Sequence, residues 1–173
     1  MRAKLPGVDS SFGYSIFLCA GILTWGLFSE ITTRSQNMFL DNANLLKKLT
    51  FPRLCLPVTV VATGLLNFAI VFGLFTAFLV LTGNFPGVAY VALLPLLALL
   101  VIFATGLGMV LGVLNVFFRD VGQFYGIFVT FWFWLTPIVY PPSILPEGLQ
   151  PFMGSNPLAQ WMSAVQGLSL IHI

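Results

Sequence analysis

Long apolar stretches alternate with short polar ones along this chain, and the alternation predicts its elements. Crossing ~30 Å of hydrocarbon as a helix takes about 20 mainly apolar residues. Four stretches meet that requirement: residues 12–29, 56–81, 90–114 and 121–140. The second is interrupted by a single strongly polar residue, Asn67. A fifth segment, 158–173, is half apolar and carries Gln160 and Gln166, which fits an interfacial or re-entrant helix. The pattern predicts an all-α, polytopic integral membrane protein: one transmembrane domain over 1–173, with four full spans and a partial fifth segment.

The connections differ in character. Residues 30–55 carry Glu30, Arg34, Asp41, Lys47, Lys48 and Arg53, whereas the turn TGNFPGVA at 82–89 is uncharged. NVFFRD joins the third and fourth spans, and a proline-rich segment follows the fourth. Lys and Arg in short loops mark the cytoplasmic side. Loop 30–55 has four and loop 115–120 has one, while 82–89 and 141–157 have none. This puts 30–55 in the cytoplasm and 141–173 outside. Arg2 and Lys4 then fall on the wrong side, as expected if an earlier cytoplasmic segment and span are missing.

Composition agrees. Hydrophobic residues make up 58% of the chain and charged residues 7%, against roughly 25% charged in a soluble domain. Seven basic and five acidic side chains are too few to cover a globule in water. No basic face long enough to follow a phosphate backbone is present, which argues against a nucleic-acid partner. Cys19 and Cys55 lack the spacing of a disulfide framework or metal site, and Cys19 reads as a small buried apolar residue.

Within NLLKKLTFPR, residues 44–53, spacing sets Leu45, Leu46 and Leu49 on one helical face, with Lys47 and Lys48 opposite. Asp41 or Asn42 is placed to cap the start, and Pro52 disfavours helix at Phe51. The result is a short amphipathic helix on the membrane surface. Physics alone leaves two readings open, a topology-fixing basic cluster or a docking surface for a soluble partner. In NVFFRD, Asp120 is placed to N-cap the helix starting at Val121; Arg119 is left for an ion-pair contact with another cytoplasmic element. Ala104, Gly108 and Gly112 form a small-residue stripe suited to close helix packing. FWFWLTPIVYPP at 131–142 is the densest aromatic patch. Trp132, Trp134 and Tyr140 fit an interfacial belt, which needs no ligand, or a path whose ring faces stack on sugars. Thr136-Pro137 predicts a kink in the fourth span.

Absent motifs narrow the class. There is no G-x-x-x-x-G-K-[ST] phosphate loop, no H-E-x-x-H and no Cys/His cluster. None of the four stretches contains an interior Asp, Glu, Lys, Arg or His. Proton relays and membrane-embedded enzymes need such groups, so neither an enzyme nor an ion-coupled transporter is expected.

Five motifs occur in order: AGILTWGLFSEI, NLLKKLTFPR with LP two residues on, NVFFRDVGQF, LTPIVYPPSILP and SNPLAQ. Together they resemble the permease subunit of type-two ABC exporters, most closely exporters of cell-surface polysaccharide (lipopolysaccharide O-antigen, capsule or teichoic acid). The resemblance implies a multi-pass protein of the cell's inner membrane that moves a lipid-linked glycan. It implies a six-span subunit working as a homodimer with two separate ATPase subunits, which bind the ATP, so that the permease has no cofactor of its own. Asn44, Lys47, Lys48, Phe51, Pro52 and Arg53 match the family's ATPase-coupling element, within the cytoplasmic segment 30–55. Arg119 and Asp120 match its cytoplasmic charged pair, and the segment after Tyr140 its short external helices. The family's N-terminal helix, first span and last span have no counterpart, so a fragment is expected. The rival expectations are a permease for a drug or lipid and a membrane scaffold without transport.

Overall fold

A computed structural model of the protein describes residues 11–48, 54–81, 91–136, 138 and 156–170. Leu49, Phe51, Pro52, Arg53, Tyr140 and the proline-rich segment up to residue 155 lie outside the described residues. Six helices appear among them and no strand: α1 (Ser11–Asp41), α2 (Ala43–Lys48), α3 (Cys55–Leu81), α4 (Leu93–Phe117), α5 (Val121–Leu135) and α6 (Pro157–Leu170).

Three helices are long and apolar enough to cross a membrane: Ile16–Asp41, Cys55–Leu81 and Leu93–Phe117. The fourth, α5, has 15 residues, about 22 Å at 1.5 Å per residue. It ends where the sequence predicts a kink. Thr136 is extended, with φ −91° and ψ 131°, because a residue before proline is pushed out of the α region. Its hydroxyl donates to the Trp132 carbonyl at 2.8 Å.

The larger difference concerns α1. The apolar pattern stops at Ser29, yet the helix continues through Glu30 and Arg34 to Asp41. Half of the segment expected as a loop is therefore helix, and a membrane-length helix contains charge. The charges are matched in place. Arg34 Nε donates to Glu30 Oε1 at 3.0 Å, one turn apart, and Asn67 Nδ2 of α3 donates to the same oxygen at 2.6 Å. An i,i+4 pair keeps the helix continuous, and pairing removes most of the penalty of a lone charge near lipid. Asn67, the single polar interruption of its stretch, has its reason in Glu30.

α1 is the central element and packs on α3, α4, α5 and α6. Trp25, Leu27, Phe28 and Ile31 meet Leu100 and Ala104 of α4 and Leu158 and Met162 of α6 in one buried cluster. The rings interlock at angles: Phe28 lies edge-on to Trp132 with centroids 5.6 Å apart, and stacks on Phe103 at 6.1 Å. α3 behaves differently. It is apolar on all sides, and its buried residues are only Leu56, Pro57, Gly64 and Leu79, as suits a helix that faces lipid or neighbouring helices. Cys19 points outward from α1 rather than into the core.

The stripe on α4 is the seat of α1. Ala104, Gly108 and Gly112 are buried. A Cβ at Gly112 would stand 2.8 Å from the Ser35 carbonyl oxygen, and one at Gly108 would collide with Ser35 Cβ. Gly106, two residues away, has open space around it. Small residues here let two backbones approach, and dispersion contacts along the seam hold them. Gly112→Ala is therefore expected to destabilise the fold by about 1–3 kcal/mol through overpacking against backbone. Gly106→Ala is expected to be neutral or stabilising by up to about 1 kcal/mol through helix propensity. Thermal unfolding of the two variants in detergent, measured side by side, checks the contrast.

Candidate functional site

The end of the bundle that carries Lys47 and Arg119 gathers the end of α1, α2, the start of α3, the end of α4 and the start of α5. Three of them, α1, α4 and α5, are joined by Asn115, the residue that opens the NVFFRD connection. It is 2% exposed. Its Nδ2 donates to the Gln36 carbonyl and to Asn37 Oδ1, both at 3.2 Å. Its Oδ1 accepts from the Gly122 amide at 3.2 Å. Gln36 returns the link, with Nε2 donating to the Gly122 carbonyl at 3.3 Å. Three helices are thus tied by one side chain and one reciprocal bond.

Gly122 is the second residue of α5, where amides have no partner inside the helix. Asn115 therefore does the capping expected of Asp120. Asp120 sits at the cap position, but with φ −76° and ψ −16° it is already helical, and its side chain caps nothing. An N-cap residue normally has extended backbone to fold its side chain back over the amides. Glycine at 122 allows the approach, since a Cβ there would lie 3.3 Å from Gln36 Nε2 and 3.4 Å from both Asn115 amide atoms.

A second asparagine plays the same part at the opposite end. Asn156 Oδ1 accepts from the Leu158 amide at 3.1 Å, capping α6 ahead of Pro157 at its first position. It also accepts from Trp132 Nε1 at 3.2 Å. Deeper along α6, Gln166 Nε2 donates to the Ile138 carbonyl at 3.2 Å, beside Gly21 of α1. Trp132 of α5 is accordingly half-buried against the core, between Trp25 and Phe28 of α1 and the cap of α6. Trp134, by contrast, is 64% exposed.

The short surface helix α2 is present but turned differently from the expectation. Asn42 does not cap its start with a side chain. Its Nδ2 donates back to the Met38 carbonyl at 2.9 Å, closing the end of α1, while its carbonyl accepts from Leu45 and Leu46. Leu45 faces outward with Asn44, and Leu46 lies with Lys47 against a groove. At 100° per residue, positions 43, 46 and 47 share one side and 44 and 45 the other. A six-residue helix anchored at Asn42 follows that geometry rather than the leucine count. The groove has a volume of about 720 Å³ and brings Lys47 together with Arg119.

The family described as ABC-2 type transporter matches residues 3–170. The chain belongs to that family. Among curated ABC-2 relatives it is similar to an O-antigen export system permease protein RfbA of Klebsiella pneumoniae, 33% identical over 160 residues, covering 92% of this chain and 60% of that protein. A second protein of that name from the same organism is 32% identical over 160 residues, with the same coverage. One from Myxococcus xanthus is 31% identical over 175 residues, covering 99% of this chain and 65% of that protein. The chain thus spans about 60% of the length of the curated relatives it matches. With three membrane-length helices and this family, it is a multi-pass inner-membrane protein.

The Asn115 clasp was not among the residues singled out from the sequence. The available signal was an amide side chain at the end of an apolar run, seven residues before a glycine at a helix start. Replacing it takes the acceptor from the Gly122 amide, which has no partner inside α5, and removes both bonds to α1. Asn115→Leu is expected to cost about 1–3 kcal/mol and to raise amide exchange at Gly122. Asn67→Leu, which removes one bond at the exposed edge of α1, is expected to cost about 0.6 kcal/mol, the mean for interhelical bonds in membranes. Unfolding in detergent with hydrogen exchange separates the two.

Proposed function

We propose that the chain is the membrane core of the permease subunit of an ATP-driven exporter. Its cargo is a lipid-linked cell-surface polysaccharide, carried outward across the inner membrane. The observation that carries this reading is the similarity, at about a third identity over most of the chain, to proteins named O-antigen export permeases. The energy comes from a separate ATPase subunit that binds the ATP, and two copies of the permease work together. This subunit performs no catalysis.

The geometry suits that division of labour. A push on α2 reaches α1 directly, because Asn42 belongs to both helices through the Met38 carbonyl. Since α1 holds the core, its displacement is felt at α4 and α5 through Asn115. Asn44, Lys47, Lys48, Phe51, Pro52 and Arg53 form the coupling segment, with Asn44 on the outward side of α2. Arg119 and Asp120 flank it on the connection that Asn115 opens. Of the aromatics, Trp134 is exposed at the far end of α5 and is a candidate for sugar stacking, whereas Trp132 is half-buried against the core.

Charge reversal at Lys48 and Arg53 in the full-length protein tests the docking role and leaves Lys47 in its groove. Recovery of the ATPase with the permease is expected to fall at least about tenfold, with loss of surface polysaccharide in cells. Undiminished ATPase recovery and normal surface polysaccharide would sink the proposal. Accumulation of a drug or lipid instead of the glycan would assign a different cargo to the same machine.

A further inference from the structure

The groove beside α2 has a chemistry that neither the core nor the docking surface explains. It opens where α2 meets the start of α3 and the end of α4, and Leu46, Met109, Val113 and Phe117 form its apolar walls. Met109, Val113 and Phe117 repeat every four residues, so one face of α4 continues the groove about 12 Å along the helix. These side chains are exposed: Phe117 at 75%, Val113 at 48% and Met109 at 37%. The rim carries Lys47 and Arg119. Among the described residues no acidic side chain lines the groove. Among the described residues the ion pair within 4.0 Å is Arg34–Glu30, on another face. Two exposed cations, with no ion-pair partner among the described residues, therefore stand over an apolar trough.

An apolar trough under two cations fits an amphiphile with an anionic head. Its depth decides which kind. The positive-inside rule puts the cations on the cytoplasmic side. Arg119 follows the end of membrane-length α4, which is where headgroups meet a spanning helix, and the trough runs from there along that helix. Basic pockets between helices on that side are suited to phospholipid headgroups. A soluble partner would leave the α4 face bare, since that face leads into hydrocarbon. We propose that this groove is a binding site for an anionic phospholipid of the cytoplasmic leaflet. Lys47 and Arg119 hold its phosphate, and an acyl chain lies along Met109, Val113 and Phe117. The lipid fixes the groove side of α2, at residues 43, 46 and 47, and leaves Asn44 and Leu45 free. The site does not depend on the transport reading.

The test uses the purified chain in detergent micelles, without any ATPase, titrated with phosphatidylglycerol or phosphatidylcholine and read by native mass spectrometry. Phosphatidylglycerol is expected to be retained in preference to phosphatidylcholine. Lys47→Gln with Arg119→Gln is expected to weaken its retention about thirty-fold, at about 1 kcal/mol for each basic residue. Arg34→Gln, a cation outside the groove, is expected to leave retention unchanged. Val113→Trp keeps both charges and fills the trough, so it is expected to abolish retention as well. Equal retention of the two lipids overturns the proposal, as does a double variant that binds normally or a Val113→Trp protein that keeps its lipid. Displacement of phosphatidylglycerol by an equimolar polyprenyl phosphate would also overturn it, since the groove would then be a cargo site. Because no ATPase is present, these outcomes are independent of the docking test at Lys48 and Arg53.

Discussion

The arrangement depends on a buried amide that satisfies three helices at once. In a low-dielectric surrounding, an unpaired amide or carbonyl carries its full desolvation cost. Asn115 has two donor hydrogens and one acceptor to place, and each finds a group on a neighbouring helix: the Gln36 carbonyl and Asn37 on α1, and the Gly122 amide at the start of α5. Moving any of the three helices alone breaks at least one of these bonds. The bundle therefore holds this end as a unit, and dispersion packing along the glycine stripe of α4 keeps α1 close enough for the bonds to form. Asn156 repeats the device at the other end, with Trp132 in the role of the second helix.

α1 shows how a membrane helix can carry charge without being a conduction path. Glu30 accepts from Arg34 on its own helix and from Asn67 on α3. The pairing lets the helix run unbroken to Asp41 and hand over to α2 within two residues. Had the chain turned at Ser29, as the apolar pattern implies, α2 would hang from a flexible loop. It hangs instead from the end of a rigid helix that also carries the aromatic core. A surface helix so attached transmits displacement, and one on a loop would absorb it.

Legibility varied with how local the physics was. The apolar lengths of α3 and α4 were plain, because a bilayer demands a run of about 20 residues whatever the neighbours are. The stripe at 104, 108 and 112 was plain for a similar reason, since helical spacing alone puts it on one face. The end of α1 was not legible, because the charges that seemed to close it are matched by Asn67, 37 residues away. The cap at Asp120 followed a sound local rule and still went to Asn115, whose position depends on where α1 lies. Trp132 read more readily as interfacial belt than as sugar platform, and Asn156 and Phe28 hold it against the core.

By itself, the sequence determined that the protein is helical and lives in lipid, where along the chain its basic residues gather, and which family it belongs to. Those are consequences of composition, run length and motif order, and none requires knowing what touches what. Only the tertiary structure decided that α1 reaches Asp41, that Asn115 caps α5, and that Lys47 and Arg119 share one apolar groove. The reason is physical. Hydrophobic transfer is non-directional and can be summed along a chain, whereas hydrogen bonds and ion pairs in a dry interior depend on distances between residues far apart in that chain.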